Sequence, residues 1–203
     1  FKLLLKKSLK ITLTSMLPIS VFIFINAEDV LSFLCGKEFV VANKALRIMM
    51  LCTVALMLTN LFGNQVLIPK GNEKRYTKSV FIGMWINLIL NSILIPKYKS
   101  EGAAFATLVT EGFNMIWMGK GCQEEMNYLK NTLCLRTYIT SIFIAIILEI
   151  ACLPIANSLT LFWRLVVKTI VLFVGYYGLL FIQKEEIILS GIQWIKNFII
   201  NRK

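Results

Sequence analysis

Apolar and polar positions along this chain segregate into blocks rather than alternating at the period of a surface helix or a strand. Six apolar runs stand out: Leu9 to Ala27, Ala45 to Ile68, Phe81 to Ile95, Gly102 to Met118, Thr137 to Ala156 and Thr160 to Ile182. Each is long enough to cross, or nearly cross, a hydrocarbon layer about 30 Å thick at about 1.5 Å of helix rise per residue. The third and fourth runs are separated only by Pro96–Glu101, room for a turn between antiparallel neighbours, and predict a helical hairpin. Its first arm places Gly83, Asn87 and Asn91 on one face. Its second arm spaces Gly102, Ala106 and Thr110 by four, and likewise Ala103 and Thr107, which lets another backbone approach closely in lipid. Pro18 interrupts the first run and removes one backbone donor. Thr12, Ser15 and Ser20 are the side chains expected to help satisfy the backbone there.

Between the runs lie a return segment from Glu28 to Asn43, a basic turn at Lys70–Lys78 and a polar stretch from Lys120 to Arg136. From Glu185 onward, Ile188, Ile192, Ile195 and Ile199 recur at helical spacing with charge at both ends. This predicts an interfacial amphipathic helix with Trp194 at headgroup level, against the alternative of a soluble helix packed on the loops. The segments that fall on one side with the N-terminus hold fifteen lysines and arginines; the opposite loops and helix ends hold Lys37, Lys44, Arg47, Lys97 and Lys99. The positive-inside rule then places both termini in the cytoplasm.

Composition agrees with the blocks. The 203 residues are 57% hydrophobic and 16% charged, with mean hydropathy +0.72. The fold class expected is an all-α polytopic membrane protein of about six transmembrane helices with a cytoplasmic amphipathic tail. A formal net charge of +11 is spread over short loops with no basic stripe or stacking platform, so anionic lipid rather than nucleic acid is the expected partner. Five cysteines, Cys35, Cys52, Cys122, Cys134 and Cys152, form no CxxC pair and are read as unpaired and structural. The chain opens at Phe1 without a signal-peptide pattern and is expected to be part of something longer.

Candidate chemistry is sparse. There is no histidine, no nucleotide loop, no GxSxG and no metal-spaced carboxylate set, so an enzyme is not expected, nor a cofactor or metal. An inner-surface carboxylate site could use only Glu124 and Glu125, which are read as a solvated turn. What recurs is intramembrane polarity, one face per helix: Thr12 and Ser15, then Asn60 and Asn64, then Asn87 and Asn91, then Thr107, Glu111 and Asn114. Converging, these faces would line a hydrated cavity of amides and hydroxyls suited to a polyhydroxylated solute; otherwise they serve contacts between helices. Glu111 lies nine residues into its run, or about 13 Å deep, where a carboxylate is a functional candidate by default. Glu149 and Lys168 lie at matching depths in the last two runs and are expected to form an ion pair, with Arg164 as the other possible cation.

The run N-x3-N-x-x-L-I-P at Asn87–Pro96, followed by G-A-A-x-A-T at Gly102–Thr107 and then Glu111, resembles the second half of Wzx-type polysaccharide flippases of the multidrug/oligosaccharidyl-lipid/polysaccharide exporter superfamily. FLCGKEF at Phe33–Phe39 and VLIPKGNEKRY at Val66–Tyr76 fall in the order that family shows. The resemblance covers about residues 5–120, and 121–203 by helix count alone. It implies a partial MATE/flippase-like bundle: residues 1–120 as the last four helices of a C-terminal transporter lobe, 121–136 as a cytoplasmic loop, 137–182 as an accessory helix pair, and 183–203 as the interfacial tail. It implies a bacterial inner membrane location and export of undecaprenyl-diphosphate-linked oligosaccharide for O-antigen or capsule, by alternating access. The implied partners are an N-terminal lobe of the same chain and polysaccharide polymerase and chain-length proteins. Arg47 is the one cation on the first four helices placed to meet a diphosphate. A drug/cation antiporter of the same superfamily would use Glu111 as a proton site, and a non-transporting subunit of a polysaccharide assembly complex would use the polar faces only for helix contacts.

Overall fold

The computed structural model describes residues 1–132, 135–185 and 188–189. Among them every regular element is helical: α1 (Lys2–Ile25), α2 (Ala27–Leu34), a 3-10 turn at Lys37–Ala42, α3 (Asn43–Phe62) continued by a π-helical turn at Gly63–Leu67, α4 (Glu73–Gly119), α5 (Gln123–Thr132), α6 (Leu135–Asn157) and α7 (Leu161–Ile182). Five of these stretches are long and apolar enough to cross a membrane, and the 47-residue α4 counts as one of them. It is two arms, however. Lys99 leaves helical geometry at φ 48°, ψ −125°, and beyond it the chain folds back.

The contacts across that fold prove the hairpin. Ser79 meets Asn114, Asn87 meets Thr110, and Leu94 meets Gly102. Each step down one arm is matched by a step up the other, as antiparallel packing requires. The chain is therefore a polytopic helical membrane protein whose hairpin supplies two passes.

Two compact units emerge. The first comprises residues 1–6 and 19–132; the second comprises residues 7–18 of α1 and the described residues from 135 onward. In the first, α3 packs most extensively on α4. Gly36, at φ 103°, makes the corner between α2 and the 3-10 turn in a conformation that residues with a Cβ rarely adopt. Helix α3 stops short of the expected Ile68. At Gly63 it widens into a π turn, closed by the Ile68 N–H donating to the Gly63 carbonyl at 3.1 Å. The polar stretch before residue 136 holds a helix, α5, and Glu124 and Glu125 part company on it. Glu124 is solvated as expected, but Glu125 is only 2% exposed and pairs with Lys70. The turn reading of Glu125 fails because Lys70, 55 residues earlier, supplies the cation that makes burial tolerable.

In the second unit α6 packs on α7, with Gly175 letting Ala145 and Leu148 come close. Here the donor for the proline break differs from expectation. Thr12 donates to the Ser8 carbonyl at 2.9 Å. The Thr14 carbonyl, which the missing N–H of Pro18 leaves open, instead accepts the Tyr177 hydroxyl at 3.3 Å, and the neighbouring Leu13 carbonyl accepts Tyr176 at 3.4 Å. Glu185, expected at the start of a surface tail, is buried: its Oε1 lies 2.7 Å from Lys10 Nζ and accepts the Tyr138 hydroxyl at 3.1 Å. Of the rest of the expected amphipathic tail only Ile188 and Leu189 are described, both helical; Ile192, Trp194, Ile195, Lys196 and Ile199 lie outside the described residues, as does Cys134. Cys35, Cys52, Cys122 and Cys152 are free thiols.

Candidate functional site

The second arm of α4 carries two parallel stripes, and the fold uses them differently. Gly102, Ala106, Thr110 and Asn114 are all buried and face the first arm. Gly102 has no room for a methyl against the Leu94 backbone. Thr110 accepts from the Asn87 amide at 3.3 Å, and Asn114 accepts from the Ser79 hydroxyl at 3.0 Å in the space that Gly83 leaves. Asn91 extends the chain of amides by donating to Asn87 Oδ1 at 2.7 Å. Asn87, Asn91 and Asn114 are thus brought together as a polar ladder inside the hairpin. In lipid, where unsatisfied amides are costly, this ladder sets the register of the two arms.

One position round the helix, Ala103, Thr107 and Glu111 face toward α3. Thr107 bonds its own helix, donating to the Ala103 carbonyl at 3.0 Å. Together with Ala103 it lines a groove of about 390 Å³ whose other wall includes Leu46 and Met49. The backbone carbonyl of Glu111 accepts the Thr59 hydroxyl at 3.4 Å, so α3 is docked at the level of the acid. The carboxylate itself is left with one buried oxygen, Oε2, that has no hydrogen-bond partner. A buried carboxylate oxygen without a donor is an open position for a proton, a cation or a ligand hydroxyl.

Asn60 and Asn64 do not join this arrangement. Both are exposed and neither side-chain amide makes a hydrogen bond among the described residues, Asn64 on the π turn. Arg47 sits toward the opposite end of α3, where Glu28 of α2 accepts from its Nη2 at 3.4 Å and from Asn43 at 3.1 Å. Its Nε is buried without a partner. In the second unit Glu149 and Lys168 are 1% and 6% exposed on packed helices, one and two turns from the Ala145–Gly175 contact in the direction of the α6–α7 turn; Arg164 is one turn further along α7.

A second cluster, not anticipated from the sequence, closes one end of the first unit. Lys70 pairs with Glu125, and Arg75 donates to the Trp117 carbonyl at 2.9 Å through Nη2 while lying 5.9 Å from the Trp117 ring. Burial pushes the Glu125 carboxyl up, but the hydrogen bond and charge of Lys70 outweigh it and hold the group below its ordinary value; the same bond raises Lys70. Burial, and then Glu125, pushes the Cys122 thiol up to about 11, which leaves it protonated and unreactive. The only hint in the sequence was Glu125 falling one turn into a polar helix after a basic turn, and pairs this distant have no local signature.

No curated protein and no solved structure matches the chain. The MatE family model matches residues 1–93, from α1 into the first arm of the hairpin, so over that part the chain is similar to the MatE family of membrane transporters.

Proposed function

We propose that the chain serves the export of lipid-linked oligosaccharide by alternating access, with Glu111 as a carboxylate on the transport cycle and the amides of α3 facing the sugar. The observation that carries this reading is the exposure of Asn60 and Asn64. They lie one turn apart toward the end of a membrane-spanning stretch, and their side-chain amides have no hydrogen-bond partner among the described residues. An amide left against hydrocarbon costs free energy that one against a hydrated path or a sugar hydroxyl does not. Glu111, with its open oxygen, supports coupling to a proton or cation, and Arg47, with an unused buried Nε, supports contact with a phosphate. On this reading the membrane is the bacterial inner membrane, both termini are cytoplasmic, and further parts of the path come from a second lobe.

Glu111 also favours the rival reading, a drug/cation antiporter, because a buried carboxylate suits either cargo. The amides distinguish the two. Full-length protein carrying Asn60→Leu with Asn64→Leu, expressed in a strain lacking its polysaccharide flippase, is expected to lose surface glycan at normal membrane abundance, and Glu111→Gln to do the same. If the double leucine variant exports glycan normally, those amides face lipid or packing and the oligosaccharide reading fails. If only Glu111→Gln loses activity, and the activity lost is drug efflux, the antiporter stands.

A further inference from the structure

The basic turn at the start of α4 is divided by the fold. Lys70 is committed to Glu125 and Arg75 to the Trp117 carbonyl and ring. Lys74 and Lys78 are exposed and form no ion pair among the described residues. They border an open groove of about 480 Å³ with Glu73, Thr77 and Phe81. Positions 74, 78, 81 and 85 share one helix face, so two cations are followed, toward the apolar run, by Phe81 and Trp85. These are 58% and 49% exposed and stand edge-to-face at 6.4 Å. Cation, hydroxyl and aromatic in that order along a span end match the order of phosphate, glycerol and acyl carbon in a lipid leaflet.

We infer that this groove seats one monoanionic phospholipid, its phosphodiester held between Lys74 and Lys78, its headgroup hydroxyls against Glu73 and Thr77, and its acyl chain along Phe81 and Trp85. Charge selects the class. Two lysines and one glutamate leave a single positive charge, which complements a phosphatidylglycerol and leaves an excess over a zwitterionic phosphatidylcholine. The seat does not depend on what the chain transports.

The test is native mass spectrometry of the purified chain in a neutral detergent, titrated with dioleoyl phosphatidylglycerol or dioleoyl phosphatidylcholine. The wild type is expected to retain one phosphatidylglycerol in preference to phosphatidylcholine. Lys74→Gln with Lys78→Gln should weaken that binding about 25-fold, roughly fivefold for each lysine near the surface. Lys120→Gln with Lys130→Gln, which removes the same charge from other exposed positions, should leave it within about twofold. Equal losses in the two double variants would mean bulk charge rather than a seat. Equal retention of the two lipids, or displacement of phosphatidylglycerol by millimolar inorganic phosphate, would also overturn the inference.

Discussion

Replacing Gly102 by alanine tests whether the hairpin is held by close backbone approach. The added methyl would lie 2.5 Å from the carbonyl oxygen of Leu94 and 2.7 Å from its carbonyl carbon. Both atoms belong to the backbone of the opposite arm, so no side-chain rotation relieves the overlap. The arms must separate by roughly an ångström before the contact becomes ordinary. Overpacking of this kind costs about 1–3 kcal/mol. Opening the arms also strains the Asn87–Thr110 hydrogen bond, already at 3.3 Å, and its loss adds about 0.6 kcal/mol. Alanine's better helix propensity returns at most about 1 kcal/mol. The net expectation is a destabilisation of about 1–3 kcal/mol, or about 2–4 °C of unfolding temperature for each kcal/mol in a chain of this size. Thermal unfolding in detergent, followed by helical circular dichroism, measures it. Gly112→Ala is the internal control, since a methyl there meets open space, and it should be neutral or slightly stabilising. If Gly102→Ala melts with Gly112→Ala, the arms are not in backbone contact and the small-residue stripe is incidental.

Three further outcomes follow from the same contacts. Tyr177→Phe should destabilise by about 0.5–1 kcal/mol in the wild type and by less in a Pro18→Ala background, where the Thr14 carbonyl recovers a backbone donor; equal effects in the two backgrounds would refute the link. The Lys70–Glu125 pair should stabilise fully between the ordinary values of 4.5 and 10.5. It should lose the Glu125 contribution as pH falls through that group's lowered value, and the Lys70 contribution as pH rises through its raised one. In Lys70→Met burial of Glu125 is opposed only by a backbone hydrogen bond and the charge of Lys2, so its carboxyl moves up and unfolding temperature measured from pH 7 down to pH 5 should rise relative to wild type; a parallel curve would refute the pairing. Glu149→Lys with Lys168→Glu should restore the membrane abundance that either single reversal lowers, judged by blot, and equal loss in all three would sink the proposed pair.

Membrane class, the hairpin and the small-residue stripe were all legible from the sequence, because block length and the 3.6-residue period depend only on neighbours along the chain. The period says that Gly102, Ala106 and Thr110 share one face and Thr107 and Glu111 the next. It does not say which neighbour covers which face. Only tertiary structure assigned the first stripe to the opposite arm and the second to α3, turned Asn87, Asn91 and Asn114 into a ladder inside the hairpin, and left Asn60 and Asn64 uncovered. The same holds for charge. Lys70 and Glu125 are 55 residues apart and the Thr14 carbonyl is 163 from Tyr177. A buried ion or an open carbonyl is stabilised by whatever group the packing brings within about 3 Å, and at such separations no local pattern encodes the partner.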